Sequence, residues 1–192
     1  MLTVSGINFA QKANLKSTLN NQQPQIKMHS QPMQDCVSFC GLPRNFGKVI
    51  EGKLYRSAKP DDFQALKDQG IKYIIDLRNV FERQSEPEEV LAASFDIKYI
   101  PGEIPDPNDG IATYLPQARE LATKVKTLMD NNDGAVIVHC SEGKRRTSAF
   151  IAVCQRLLEN KPTDAIVKNA EAHGGEAALV RSILRFLPQK PE

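Results

Sequence analysis

The sequence predicts an α/β fold in which a central, mostly parallel sheet is flanked by helices. Two observations carry that prediction. Short runs rich in β-branched residues alternate along the chain with amphipathic helical patterns. One such run, Ala135-Val136-Ile137-Val138-His139, leads into Cys140, a glycine-containing loop and then an apolar helical stretch. Strand, loop and helix in that order build a parallel sheet, because parallel neighbours need a crossover.

Residues 1–44 are rich in Gln, Asn, Ser and Lys, with little periodicity, and read as a flexible polar tail. The folded unit is expected over 45–188, and 189–192 as a short C-terminal tail. Val49-Ile50 and Leu54-Tyr55-Arg56 predict short strands joined by a turn at Glu51-Gly52. Pro60-Asp61-Asp62 opens a helix that points Phe63 and Leu66 inward and stops at Gly70. Lys72 to Leu77 is a strand. Ser85 to Glu89 starts a helix carrying Val90, Leu91 and Phe95 toward the core, and Asp96 to Ile100 is the next strand. Pro101 to Gly110 is a loop. From Ile111, the spacing of Leu115, Ala118, Leu121 or Ala122, Val125 and Leu128 predicts a long amphipathic helix, ended by Asn131-Asn132-Asp133-Gly134. After the loop and helix at Cys140, Pro162-Thr163-Asp164 caps a further helix, Gly174-Gly175 breaks it, and a last helix runs from about Glu176 to Phe186.

At 192 residues the chain suits one domain with its own core, and 41% hydrophobic residues fit a soluble globular protein. A formal net charge of +2 gives no argument for nucleic acid. No apolar run reaches membrane-spanning length, and no secretory signal pattern opens the chain. A cytoplasmic location is expected, with secretion as an effector the alternative. Four cysteines do not make a disulfide framework. Cys154 reads as a small core residue. Cys36 and Cys40 read as ordinary thiols, with metal binding, a redox pair or a resolving thiol left open.

The segment from His139 to Thr147 carries the chemistry. The strand holds Cys140 at its end. The loop of Ser141, Glu142, Gly143, Lys144 and Arg145 turns its amides inward, and the next helix aims its positive end at the same point. That field suits a thiolate, the nucleophilic form of cysteine. Arg146 offers a bidentate fork to two phosphate oxygens, which lysine does not. Thr147 stands where a hydroxyl can bond the sulfur and ease its departure. Phosphate binding is therefore expected from residues 141 to 146, and catalysis from Cys140, Arg146 and Thr147 by attack of sulfur on a phosphate ester. A cysteine six residues before an arginine is a weak pattern alone. The strand before it, Gly143 within it and the helix after it supply the context.

His139-Cys140, five residues, then Arg146-Thr147 resembles the signature loop of the cysteine-dependent protein tyrosine phosphatase superfamily. Its position far along a short chain resembles the dual-specificity type rather than the low-molecular-weight or the larger tyrosine-specific classes. Asn45-Phe46, Val49 and Leu54-Tyr55-Arg56-Ser57-Ala58-Lys59-Pro60 resemble the entry segment of the atypical plant and fungal group, which also favours a Gly-Lys-basic-Arg-Thr loop. Ile74-Ile75-Asp76-Leu77-Arg78 resembles the second strand of related bacterial phosphatases. The matches span residues 45–188. The resemblance implies a dual-specificity phosphatase-like fold and a cysteinyl-phosphate intermediate, with neither cofactor nor metal.

It also implies an aspartate, on a loop before the cysteine, that protonates the leaving oxygen and then activates water. Asp106 and Asp109 lie 34 and 31 residues before Cys140. Asp109 precedes Gly110 and a helix and is a candidate N-cap, so Asp106 is favoured, with Asp109 in support and Glu103 third. His139 is expected to orient the loop and hold the thiolate by hydrogen bonding. His173 reads as a capping or surface residue. Arg78 reads as a brace to Asp76 or Glu82, or as a residue of the active-site rim.

The expected function is hydrolysis of phosphate monoesters: phosphotyrosine, with phosphoserine and phosphothreonine as further substrates. Lys144 and Arg145 leave inositol phosphates, phosphoinositides or inositol pyrophosphates as the alternative, and a phosphate-binding module without turnover is the rival of another class. Arg145 and Ser148 stand where the superfamily often has glycine, which leaves substrate class open. Expected partners are a phosphorylated protein or a phosphorylated inositol, with no nucleic acid and no integral membrane association. Oligomeric state is not legible.

Overall fold

A computed structural model describes residues 41–84 and 88–191. The expectations for the N-terminal tail through residue 40, for Cys36 and Cys40, and for the helix start at Ser85 to Pro87 lie outside the described residues.

Five strands form one sheet in the order β1-β2-β5-β3-β4: β1 (Gly47–Ile50), β2 (Leu54–Ser57), β3 (Ile71–Asp76), β4 (Lys98–Pro101) and β5 (Ala135–His139). Only β1 is antiparallel, as a four-residue hairpin arm on β2, and the other pairings are parallel. The fold class is the one expected. The strand carrying Cys140 lies at the centre, with Ser57 and Asp76 in register with His139 on either side. Residues just past the C-terminal ends of β2, β3 and β5 are thereby gathered at one edge, where α/β sheets hold their ligands.

Alternation along the strands makes two apolar faces. Leu54, Ile75, Val136 and Val138 pack against α4 (Ile111–Asp130), α5 (Arg145–Glu159) and α7 (Ala177–Leu184). Tyr55, Ile74, Ala135 and Ile137 face the opposite way, toward α1 (Phe63–Asp68) and α3 (Glu88–Ser94). Each fully buried aliphatic side chain contributes roughly 1.5–3 kcal/mol by leaving water. The sixth helix, α6 (Thr163–Ala172), closes a smaller cluster with α5 and α7 through Ile166, Val167, Val180 and Leu184. Cys154, in α5, is buried in the core as expected.

Two local expectations are corrected. Val90 and Leu91 point to solvent, 70% and 47% exposed, while Glu88 and Ala92 turn inward. The apolar pattern was outweighed by an ion pair, because Glu88 carries a charge that must find partners once buried. Also, a one-turn helix follows β3 that the periodicity does not reveal: α2 (Val80–Arg83), held by Asn79 and Glu82 in a reciprocal capping box.

Candidate active site

Each carbonyl from Cys140 to Lys144 has a polar partner, and three of those partners come from distant segments. The Cys140 carbonyl faces His139 Nδ1 at 3.3 Å. The Ser141 carbonyl accepts from the Lys59 amide at 3.2 Å, and that of Glu142 from Asn45 Nδ2 at 2.8 Å. The Gly143 carbonyl accepts from Arg56 Nη2 at 2.6 Å, and that of Lys144 from the Ser148 amide at 2.8 Å, which begins α5. A trans peptide sets each C=O opposite the next N–H. Five consecutive carbonyls held outward therefore turn the amides of residues 141 to 145 toward the loop's interior, a concavity made for an anion. Gly143 is required there. Its φ is +69°, and a Cβ would overlap the Ser57 carbonyl and the Ala58 nitrogen.

Cys140 sits inside this ring, 4% exposed. Thr147 Oγ1 donates to its sulfur at 3.1 Å, the contact expected from the spacing. α5 starts at Arg145, so its positive end also faces the loop. Arg146 leaves the first turn of α5 and meets Glu82, whose Oε2 and Oε1 accept from Nη1 and Nη2 at 2.7 and 2.6 Å. Ser141 Oγ also donates to Glu82, at 3.2 Å. The hydrogen bonds from Arg146 hold the Glu82 carboxyl down at about 2, and Glu82 in turn raises Arg146. Sequence reasoning gave Glu82 no role at Arg146. The available signal was Asn79-x-x-Glu82, a capping-box pattern directly after the Asp76-Leu77-Arg78 segment.

Beneath the loop lies a buried polar cluster. His139 Nε2 is 3.0 Å from Glu88 Oε1, and its Nδ1 faces the Cys140 carbonyl. Among the described contacts the ring meets the backbone of the loop rather than the sulfur. Arg78 pairs with Asp76 at 2.8 Å and Glu88 at 2.6 Å, all three being buried. Arg78 is therefore a brace to Asp76, as one reading had it, and to Glu88 as well. Burial pushes the Asp76 carboxyl up, but bonds from Arg78 and Tyr99 and the nearness of His139 outweigh it, and the net direction is down. Asp76, Glu88 and His139 offer ligand atoms within 4.8 Å of one another. The Arg78 guanidinium reaches both carboxylates and supplies the positive charge between them.

Arg146 opens onto a cleft of about 690 Å³ that Glu82, Glu103, Asp106 and Asp109 also line. Both aspartates expected as acids therefore reach the cleft. The capping assignment is reversed. Asp106 caps a 3₁₀ turn at Pro107–Asp109 by accepting from the Asn108 amide at 3.0 Å, while Gly110, not Asp109, stands before α4. The extra residue Pro107 starts the turn early, so the side chain before it is the one in reach of the free amide. The charged side chains of the loop have partners at the rim. Arg145 reaches Asp106 at 3.5 Å, and Lys144 reaches Glu142 at 3.4 Å, all near the surface. His173 caps α6 and contacts the Asn169 carbonyl at 2.8 Å.

Residues 39–169 match the model of the tyrosine phosphatase family. Among solved structures, the core catalytic domain of the PP-IP phosphatase SIW14 from S. cerevisiae, in complex with citrate, is similar at 23% identity and a TM-score of 0.58. The match covers 76% of this chain and 87% of that one. P. aeruginosa TpbA in complex with pTyr is similar at 15% identity and a TM-score of 0.54, over 69% of this chain and 76% of that one. Likenesses at these identities show the fold. Among the described residues no helix is long and apolar enough to cross a membrane.

Proposed function

The chain belongs to the tyrosine phosphatase family, and from that premise we propose that it hydrolyses phosphate monoesters on proteins, phosphotyrosine first, through a phosphocysteine at Cys140. The single observation that supports this most is the outward tether of five carbonyls from Cys140 to Lys144, which turns five amides on one point beside the sulfur. In this reading the Cys140 sulfur attacks phosphorus in line. The S–P bond forms as the P–O bond to the leaving group breaks. The amides and Arg146 hold the three equatorial oxygens as charge shifts. Asp106, or Asp109 in its place, gives the leaving oxygen a proton. The same group then takes one from the water that attacks the phosphocysteine, so phosphate leaves and the sulfur returns with its electron pair. Thr147 steadies that sulfur as it departs.

The inositol alternative rests on Lys144 and Arg145 and on the likeness to a PP-IP phosphatase. The pairing of Lys144 with Glu142 and of Arg145 with Asp106 argues against it, as does a cleft with four carboxylates, because a polyanion would meet little free positive charge. The catalytic domain is proposed over residues 45–188. Phosphate release with reductant and chelator tests the reading on phosphotyrosine and phosphoserine peptides, inositol polyphosphates, a phosphoinositide and an inositol pyrophosphate. Turnover of the phosphotyrosine peptide that vanishes in Cys140→Ser is expected. Preference for the inositol compounds would move the substrate class. Turnover retained in Cys140→Ser would overturn the mechanism, and none from the wild type would leave a binding module.

A further inference from the structure

Among the described residues Arg56 is one of the largest fully buried side chains, with no exposed surface, and it bonds the loop that follows Cys140. Its Nη2 donates to the Gly143 carbonyl at 2.6 Å and to Ser148 Oγ at 2.8 Å. Nε and Nη1 make no hydrogen bond among the described residues. Its charge is also uncompensated. Around the loop, Arg146 faces Glu82, Arg145 faces Asp106, Lys144 faces Glu142, and His139 faces Glu88. No described carboxylate lies within ion-pair distance of Arg56. A buried guanidinium without a counter-charge is costly, and one is retained where an anion visits.

We propose that Arg56 is a positioning residue of the phosphate site, one that sets the direction of the 143–144 peptide and supplies a buried positive charge to the anion held by the loop. This rests on the phosphatase reading above. The grip on the Gly143 carbonyl turns the Lys144 amide the opposite way, into the cradle. Its hold on Ser148 Oγ fixes the same guanidinium to the first turns of α5, so loop and helix start are set by one group. Burial draws the guanidinium down to about 10, and the neighbouring Cys140 sulfur acts in the other direction. On its far side Arg56 is felt by His173, which burial first of all holds low. The anion served is the phosphoryl group held by the loop, with the sulfur that attacks it beside it.

The test uses Arg56→Gln and Arg56→Lys in the full chain. Two readouts are taken: orthovanadate affinity from inhibition of p-nitrophenyl phosphate turnover, and the pH profile of iodoacetamide alkylation mapped to the Cys140 peptide. Circular dichroism and thermal melting establish folding. Arg56→Gln is expected to weaken orthovanadate at least about tenfold and to move the alkylation profile upward by about one pH unit. Arg56→Lys keeps the charge but is too short to hold Gly143 and Ser148 together. It is expected to leave the alkylation profile near that of the wild type and still lose orthovanadate affinity. A folded Arg56→Gln with wild-type affinity and profile overturns the proposal. If that variant does not fold, Arg56→Lys decides, and wild-type orthovanadate affinity in it overturns the proposal. Failure of the phosphatase reading itself would show separately, either as wild-type protein that does not turn over the ester or as turnover retained in Cys140→Ser.

Discussion

Glu82 grips Arg146 end-on, with both carboxylate oxygens on both terminal nitrogens at 2.7 and 2.6 Å. The carboxylate is itself fixed, since Oε2 accepts the Asn79 amide at 3.1 Å in the capping box of α2. The guanidinium is thus oriented by a helix terminus rather than by the loop it serves. Nε takes no part in the grip, so a phosphate can be met along the Nε–Nη2 edge while Glu82 keeps the other.

Glu82→Gln is expected to lower kcat about tenfold and raise KM, because Arg146 keeps its charge but loses its anchor. The same variant carries a pH signature. The Glu82 carboxyl titrates at about 2 folded against an ordinary 4.5, so its stabilisation is complete above about pH 4.5 and is lost as pH falls toward 2. After allowance for solvent screening the brace contributes about 1 kcal/mol at neutral pH. Thermal melts should show wild type above Glu82→Gln at pH 7, with the gap closing as pH falls from about 4.5 through about 2. A constant gap across that range would contradict the assignment.

Thr147→Ala removes the hydroxyl that donates to the Cys140 sulfur. Departure of sulfur should slow about tenfold, with its attack little changed. Rapid-quench kinetics with p-nitrophenyl phosphate should then show a burst, and trapped phosphocysteine should accumulate. Thr147→Ser should restore the wild-type pattern. A uniform loss without a burst would place Thr147 in the first step instead.

Asp106→Asn should cost about 10²–10³ in kcat on a phosphotyrosine peptide and far less on an aryl phosphate with a good leaving group, which departs without a proton. Asp109→Asn should leave both rates within about threefold. The reverse ranking assigns the acid to Asp109, and equal small effects would exclude either as the sole acid.

Arg78→Met leaves Asp76 and Glu88 buried without their shared cation. The expected loss is about 3–5 kcal/mol of folding stability, read from denaturant unfolding monitored by circular dichroism. Because His139 rests on the same cluster, residual activity in the folded fraction should fall as well. A loss below about 1 kcal/mol would mean that the carboxylates find other partners.

Much of the fold was legible because it rests on local periodicity. The strands at Ile71 and Ala135 and the long helix from Ile111 follow from side chains spaced at two or at 3.6 residues. α3 was misread because Glu88, an acid at a helix start, looks solvent-bound until Arg78 and His139 are seen beneath it. Asp109 was misread as the cap of α4 because a 3₁₀ turn at Pro107–Asp109 comes before that helix, and Asp106 is the carboxylate in reach of its free amide.

At the site the division is sharper. The nucleophile candidate, the arginine, the threonine and the loop between them are legible in the chain, because their spacing on a strand, a loop and a helix start is local. Asn45 and Arg56 stand out there too, as part of a second motif whose purpose the chain does not reveal. Folding alone brings those two residues, 97 and 87 positions from their partners, to hold the Glu142 and Gly143 carbonyls outward. It likewise brings Glu82 to Arg146 across 64 positions. The reason is physical: the direction of a peptide group is set by what bonds it, and those partners meet only when β2, β3 and β5 lie side by side.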